Sequence, residues 1–307
     1  MKGLFCSDLH LRFLRPRRRV DDFLEALLGK LAEVLALARE HKATIVLFGG
    51  DFFDSCEPSL YVLNRAQDLL RSQQANIPIY AAVGQHDVEG YNMEMLHRTG
   101  LGNLIKTSAV FRLDLLEMDD VVIKGMDYML TGDVVYTFPA KFKDKFKIIV
   151  SHNTIVPKPL PYTHRLVADL KTNADIVFCG DYHQPFEAAC GRTRYINAGS
   201  LARMSKDDID RNNISVIVFD TAAGKTEKVN LKSAKPATEI FDLQGILADK
   251  AAETEISQFL AQLQQTGDFD EGDLATAVKM EAQEQGLEPE ILEDILKRLT
   301  LYKNKEE

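Results

Sequence analysis

The sequence predicts an α/β fold that carries an all-helical extension at its C-terminal end. Over residues 1–84, short apolar runs alternate with amphipathic helical patterns, which is the signature of a parallel sheet with helices over its faces. Further short β-rich runs follow between 110 and 231. After Lys235-Pro236 the pattern is helical throughout.

Residues 2–6 (KGLFC) form an apolar run that stops at a polar cluster, as a buried strand entering a loop does. From Val20 to His41, apolar residues at Phe23, Leu27, Leu28, Leu31, Val34, Leu35 and Ala38 recur with helical period, and Asp21 and Asp22 suit the helix start. Residues 44–48 read as a second buried strand ending at Gly49-Gly50, 60–74 as a helix, and 77–83 as a third strand running into Gly84. Residues 110–116 and 121–126 read as antiparallel strands around the acidic turn Met118-Asp119-Asp120. Strands at 146–150, 175–179, 186–189, 194–196, 214–219 and 226–231 follow, the last two joined as a hairpin by Ala222-Ala223-Gly224. Helices are expected over 244–265, 271–285 and 289–300, punctuated by Gly267 and Gly286. The domain limit is drawn between 234 and 235.

The chain has 307 residues, 45% of them hydrophobic and 27% charged, enough to bury one large core or two ordinary ones. Its net charge of −9 is unevenly spread. Residues 235–307 hold 7 Lys/Arg against 17 Asp/Glu, and residues 1–234 hold 30 against 29. The overall acidity therefore does not exclude a polyanionic substrate for the first part. No apolar run approaches the roughly 18–20 residues that span a bilayer, and MKGLFCSDLH reaches charge too soon for a signal-peptide core. Cys6, Cys56, Cys179 and Cys190 are scattered without CxxC spacing, so buried thiols and a reducing cytoplasm are expected, with no membrane partner.

Five of the strand-like runs end in residue types that bind metal ions: Ser7-Asp8-Leu9-His10, Gly50-Asp51-Phe52-Phe53-Asp54, Gly84-Gln85-His86-Asp87, Ser151-His152-Asn153 and Gly180-Asp181-Tyr182-His183. One polar cluster after a strand is ordinarily just the start of a loop. Five in succession can converge at the carboxyl ends of strands in one sheet, where ligands gather. Mixed carboxylate and imidazole ligands suit Mn²⁺, Fe²⁺ or Zn²⁺, and the lack of thiolates argues against a structural zinc site. More than four candidate ligands imply two ions sharing a carboxylate, an arrangement used for phosphoester displacement.

These motifs resemble the calcineurin-like metallophosphoesterase signature, which runs DxH, GDxxD, GNHD/E, H and GHxH. The resemblance covers roughly residues 1–232. It implies a metallophosphoesterase-type β-sandwich flanked by helices, with 1–234 as the catalytic domain and 235–307 as an acidic helical extension for packing or partner docking. The GDFFD and GQHD contexts, the INAGSLAR run at 196–203 and the extension are similar to SbcD-type nuclease subunits and their bacteriophage relatives. Those subunits work with an SMC-like coiled-coil ATPase in DNA end processing. The implied ligands are Asp8, His10 and His183 for one ion, Asp51 bridging, and His152, Gln85 and Asp181 for the other, with Mn expected ahead of Mg, Fe or Zn. His86 would stand beside the scissile phosphate as general acid or charge stabiliser, its ring oriented by Asp87. Asn197, Gly199 and Ser200 would form a turn near the substrate.

Two positions depart from the signature: Gln85 replaces its Asn and Asp181 its first His. Asp adds negative charge and makes the site harder, while Gln puts the amide oxygen on an arm one methylene longer. Either the second ion is kept in a retuned site, or it is lost with most of the activity.

Arg12, Arg15, Arg17, Arg18 and Arg19 lie within eight residues directly after the first metal motif, and guanidinium forks suit phosphate oxygens. Lys141, Lys143, Lys145 and Lys147 alternate as strand-edge protection would. The expected function is a two-metal phosphodiesterase that cleaves DNA as the nuclease subunit of an end-processing complex. The alternatives are a phosphodiesterase or phosphatase for small nucleotides or phosphoproteins, and a scaffold or DNA-binding protein with a disabled second metal site. The arginine run favours DNA, and His86 with Asp87 favours an enzyme. Oligomeric state is open, a homodimer included.

Overall fold

Four consecutive buried residues in β1 (Lys2–Cys6) suit the interior of a sheet covered on both faces. The computed structural model describes residues 1–73, 77–129, 136–204, 208–211, 213–251 and 254. After β1 come α1 (Phe23–Glu40), β2 (Val46–Phe48), α2 (Leu60–Gln73), β3 (Ile79–Ala81), α3 (Gly100–Lys106) and β4 (Phe111–Arg112). The chain continues through β5 (Leu115–Glu117), β6 (Val121–Met126), β7 (Phe146–Ser151), β8 (Ile155–Val156), β9 (Arg165–Leu166) and β10 (Ile176–Cys179). It closes with β11 (Phe186–Cys190), β12 (Thr193–Asn197), β13 (Ser215–Asp220), β14 (Lys225–Asn230) and α4 (Ala237–Ile240).

Two six-stranded sheets result, ordered β14-β13-β1-β2-β3-β4 and β11-β12-β10-β7-β6-β5. β1 to β4 pair in parallel, as do β6, β7, β10 and β12, so the carboxyl ends of each central set share an edge. The β13–β14 hairpin closes through Gly224 at φ 61° and pairs antiparallel with β1. Between the sheets lies a core of Phe5, Leu47, Ile123, Ile148, Val150, Phe178, Ile217 and Phe219. On the outer face of the first sheet, α1 buries Leu27, Leu31, Val34 and Leu35 in a common core with α2 and α3. Asp22 caps α1 by accepting from the Glu25 N–H.

Two local expectations are revised. The single strand expected over 110–116 is divided: β4 joins the first sheet and β5 the second, so the chain changes sheets between them. The alternating lysines do not guard an edge, because β7 lies between β10 and β6. Lys147 is buried and donates to the Lys143 and Lys145 carbonyls. The chain divides into the compact units Met1–Phe241 and Asp242–Glu307, and within the first Arg19 forms a bridge to Phe241 and lies over its ring. Residues 243–251 are helical, while the rest of the expected 244–265 helix, apart from the helical residue 254, and the two later helices fall outside the described residues. All four cysteines are free, and none of the described helices is long and apolar enough to cross a membrane.

Phe178 stacks on Phe5 with ring centroids 4.6 Å apart and touches Phe219 at 5.2 Å, joining the two sheets. Phe178→Ala is expected to lower stability by about 3–5 kcal/mol in urea unfolding. A loss below about 1 kcal/mol would mean that the inter-sheet core does not depend on this ring.

Candidate metal centre

The loops that follow β1, β2, β3, β7 and β10 meet at one place. The β1 loop is tied to the β2 loop by backbone bonds from Asp8 to Gly50 and from His10 to Asp51, both 3.1 Å. Asp8, His10, Asp51 and Asp181 all take left-handed backbone, with φ of 57°, 47°, 54° and 67°. Such conformations are uncommon for residues with a Cβ and collect at functional sites. Close approach also demands glycine: a Cβ on Gly84 would run into the Asp51 carboxylate, and one on Gly50 into the His152 ring.

Among the described residues two overlapping groups share Asp8, namely Asp8–His10–His183 and Asp8–Asp51–His152, and a third is His10–Asp54–His86, each with ligand atoms within 4.8 Å of one another. His10 Nε2 and His183 Nε2 face each other at 3.2 Å, with Asp8 Oδ1 at 3.9 and 3.7 Å. Asp51 Oδ2 stands 3.2 Å from His152 Nε2 and 3.7 Å from His10 Nε2, between the two groups. The His152 Nδ1–H donates to the Gly49 carbonyl, which turns Nε2 inward as an acceptor.

Residues of this kind fit divalent cations. Asp8 Oδ2, Asp51 Oδ2, His152 Nε2 and Gln85 Oε1 are all buried without a hydrogen-bond partner, and an unpaired buried polar atom is costly. The electrostatics agree. Burial opposes charge on His152 and His10, yet the surrounding carboxylates, Asp51 foremost for His152, raise both above the usual imidazole value. Burial would likewise raise Asp51, but the neighbouring imidazoles hold it below the usual carboxylate range. The centre thus attracts positive charge. Imidazole nitrogens 3.2 Å apart also suit a shared ion with M–N bonds of about 2.1 Å.

The two altered positions touch each other. Gln85 Nε2 donates to Asp181 Oδ1 at 2.7 Å, Thr154 Oγ1 donates to Asp181 Oδ2, and the Asp181 N–H donates to Asp8 Oδ1 at 3.2 Å. His86 is the exposed member, with 42% of its side chain accessible, and its Nε2 lies 4.0 Å from Asp51 Oδ2.

Several assigned roles do not match the contacts. Asp87 does not orient the His86 ring. Its carboxylate is buried and accepts from the backbone N–H groups of Asp51, Phe52 and Gly84 at 2.9–3.1 Å, while the His86 Nδ1–H donates to the Asp54 carbonyl at 2.9 Å. Burial, with Asp51 nearby, pushes Asp87 up to about 7. Asn197 and Ser200 are buried, and their side chains are occupied by backbone. Asn197 donates to the Tyr182 carbonyl, and Ser200 Oγ donates to the Asp8 carbonyl at 2.8 Å. The arginine run is also divided. Arg19 is buried in a two-pronged pair with Asp21, and Arg12 is bound to Asp54 at 2.8 Å. Arg15 and Arg17 are exposed and Arg18 half-buried.

Asp54 and Thr154 were not singled out from sequence. Asp54 binds Arg12, faces His10 Nδ1 at 3.4 Å and receives His86 through its carbonyl. As the second Asp of GDFFD it was visible, whereas nothing in the sequence marks Thr154.

A two-sheet α/β protein with this carboxylate–imidazole centre at its strand ends is a metallophosphoesterase. Residues 1–185 match the profile of the calcineurin-like phosphoesterase family, and the chain belongs to it. It is 26% identical over 231 residues to the DNA double-strand break repair protein Mre11 of Methanosarcina mazei, covering 70% of this chain and 36% of that one. To the Mre11 of Halobacterium salinarum it is 25% identical over 296 residues, covering 90% and 72%. The chain thus spans little more than a third of the first relative. A solved archaeal phosphodiesterase aligns at 16% identity and a TM-score of 0.40, over 75% of this chain and 100% of its own.

Asp54→Asn removes the charge that holds both Arg12 and His10 Nδ1 in place. It is expected to weaken Mn²⁺ binding by about 10- to 100-fold in calorimetric titration. Unchanged affinity would restrict Asp54 to holding its loop.

Proposed function

We propose that the protein is a two-metal phosphodiesterase that hydrolyses DNA, with residues 1–234 as its catalytic part. The carrying observation is the convergence of Asp8, His10, Asp51, His152 and His183 with inward, unpartnered buried atoms, beside a more exposed His86. Asp8, His10 and His183 would hold one ion, Asp51 would be shared, and His152 with Asp181 and Gln85 would hold the other, with Mn²⁺ expected. When bound, such ions neutralise phosphoryl charge and activate water as the nucleophile.

The protein's own groups supply the rest. The Asp54 carbonyl fixes the proton of His86 on Nδ1. A second proton on Nε2 then faces the centre, where it can be given to the departing oxygen. Asp87 holds the loops after β2 and β3 together through its backbone acceptor bonds, so Asp51 and His86 keep their spacing. Ser200 and Leu201 tie the strap after β12 to Asp8 and Ser7.

DNA is favoured over a small phosphoester by two observations. The similar curated proteins are named for double-strand break repair. The exposed Arg15 and Arg17 lie on the loop leading from Arg12, which is bound to Asp54 of the β2 loop. The assembly partner in this reading is an SMC-like coiled-coil ATPase, with the acidic segment 235–307 as the docking part.

His86→Ala should lower Mn²⁺-dependent cleavage of single- and double-stranded DNA by about 100- to 10,000-fold with metal content unchanged. Equal rates in the two proteins would remove His86 from the chemistry, and one ion per chain at saturating Mn²⁺ would remove the second ion. Arg15→Ala with Arg17→Ala should weaken DNA binding and reduce its salt slope by about 1–2. An unaltered slope would make that loop a solvated one.

A further inference from the structure

Behind the β1 loop lies a cluster of buried cations that its carboxylates do not balance. Arg19, Lys30, Arg203 and Arg211 are each more than nine-tenths buried. The carboxylates that act most strongly on Lys30 and Arg203 are Asp21 and Asp208. Asp21 is engaged by Arg19 through Nε at 2.9 Å and Nη2 at 2.5 Å, and Asp208 by Arg211 at 2.8 Å. Lys30 and Arg203 are left with backbone carbonyls: Lys30 Nζ donates to Leu201 at 2.5 Å, while Arg203 donates to Arg211 at 3.4 Å and to Lys235. Arg203 Nε has no partner.

Two uncompensated cations in a low-dielectric interior are expensive, and a bound anion is the usual remedy. Burial, and then the Arg203, Arg19 and Arg211 guanidiniums, push Lys30 down to about 7; burial with Arg19 and Arg211 pushes Arg203 down to about 10. Both shifts are those of a site short of negative charge.

Arg19, Gly29, Lys30, Arg203, Ser233 and Lys235 line a cavity of about 350 Å³. Asp21, Asp22 and Glu25 line it too: Asp21 is paired with Arg19 and Glu25 with Arg65 at 2.6 Å, while Asp22 is exposed to solvent and caps α1 through the Glu25 N–H. The size lies at the small end of ligand sites, roughly 300–1,000 Å³, and leaves room beyond a single oxyanion.

We propose that this cavity binds a phosphate-class oxyanion, either free phosphate or the phosphate group of a mononucleotide, between Lys30 and Arg203. The site is separate from the metal centre and does not rest on the nuclease reading. Guanidinium and ammonium donors together match the acceptor geometry of a phosphate dianion.

The test titrates the full-length, metal-free protein with sodium phosphate in EDTA, by calorimetry and thermal melting, against sodium chloride at equal ionic strength. Saturable binding with a rise in Tm is expected. Lys30→Met should weaken it by about tenfold or more. An added Cβ at Gly29 meets nothing within 4 Å, so Gly29→Glu can place a carboxylate in the cavity; it should abolish the phosphate response. A parallel titration with a deoxynucleoside 5′-monophosphate distinguishes the sources, since tighter binding than phosphate assigns the nucleotide and equal binding assigns free phosphate. Absence of saturable phosphate binding in the native protein overturns the proposal. So does unchanged affinity in either folded variant, and Gly29→Glu suffices if Lys30→Met does not fold.

Discussion

Asp8 and Asp51 are fully buried carboxylates, each with one oxygen that accepts no hydrogen bond, and imidazoles stand close to both. Removing a carboxylate from water costs several kcal/mol even after relaxation, and the surrounding structure is organised around keeping both there. Asp8, His10, Asp51 and Asp181 accept left-handed backbone at a cost of order 1–3 kcal/mol each. Gly84 and Gly50 give up side chains so that Asp51 and His152 can sit where they do. Asp87 and Ser200 spend their polar atoms on loop backbone. Contacts within the protein repay only part of this: the imidazoles stabilise Asp51, and backbone N–H groups reach one oxygen of each carboxylate. A cation at the centre would repay the rest, which is why the strain and the orphaned atoms occur at one place.

The same reasoning gives the charge distribution a meaning. Residues 1–234 are almost neutral in sum, 30 basic against 29 acidic, yet they separate charge sharply. Of the buried carboxylates, Asp8, Asp51 and Asp87 lie at the strand ends. Behind them, the strap at Ser200–Ala202 accepts from Lys30 and Arg211 through its carbonyls and donates to the backbone of Ser7 and Asp8. The strap is thus held by buried cations on one set of bonds and holds a buried anion's loop on the other. Its position depends on both populations staying put.

How much of this could be read from sequence follows from what each feature depends on. Strands β1, β2, β3, β7 and β10 were legible because burial writes short apolar runs, and the centre was legible because each run ends in a ligand type. The first helix was legible down to its cap at Asp22. What escaped were choices made by tertiary contact. Nothing local says that residues 111–112 and 115–117 belong to different sheets. Arg19 looks like four neighbouring arginines and differs only because Asp21, Phe23 and Phe241 enclose it. The family resemblance implied that Asp87 orients His86, but the tight turn at Gln85–Asp87 sends the two side chains to different backbones.

The two departures from the signature make more sense as a pair than singly. A Gln in place of Asn lengthens the arm, and taken alone it would displace the amide oxygen from its place. Here the amide nitrogen is anchored on Asp181 at 2.7 Å, which consumes the donor end and leaves Oε1 buried and unpartnered. A His at 181 could meet that nitrogen only through a ring acceptor, whereas a carboxylate accepts it with one oxygen and Thr154 with the other. Asp181 also donates its backbone N–H to Asp8 Oδ1, so the pair is fixed to the opposite group of the centre. The longer arm and the exchanged acceptor therefore compensate each other: each supplies the contact that the other substitution would otherwise lack, and the Gln85 amide oxygen is left buried and unpartnered.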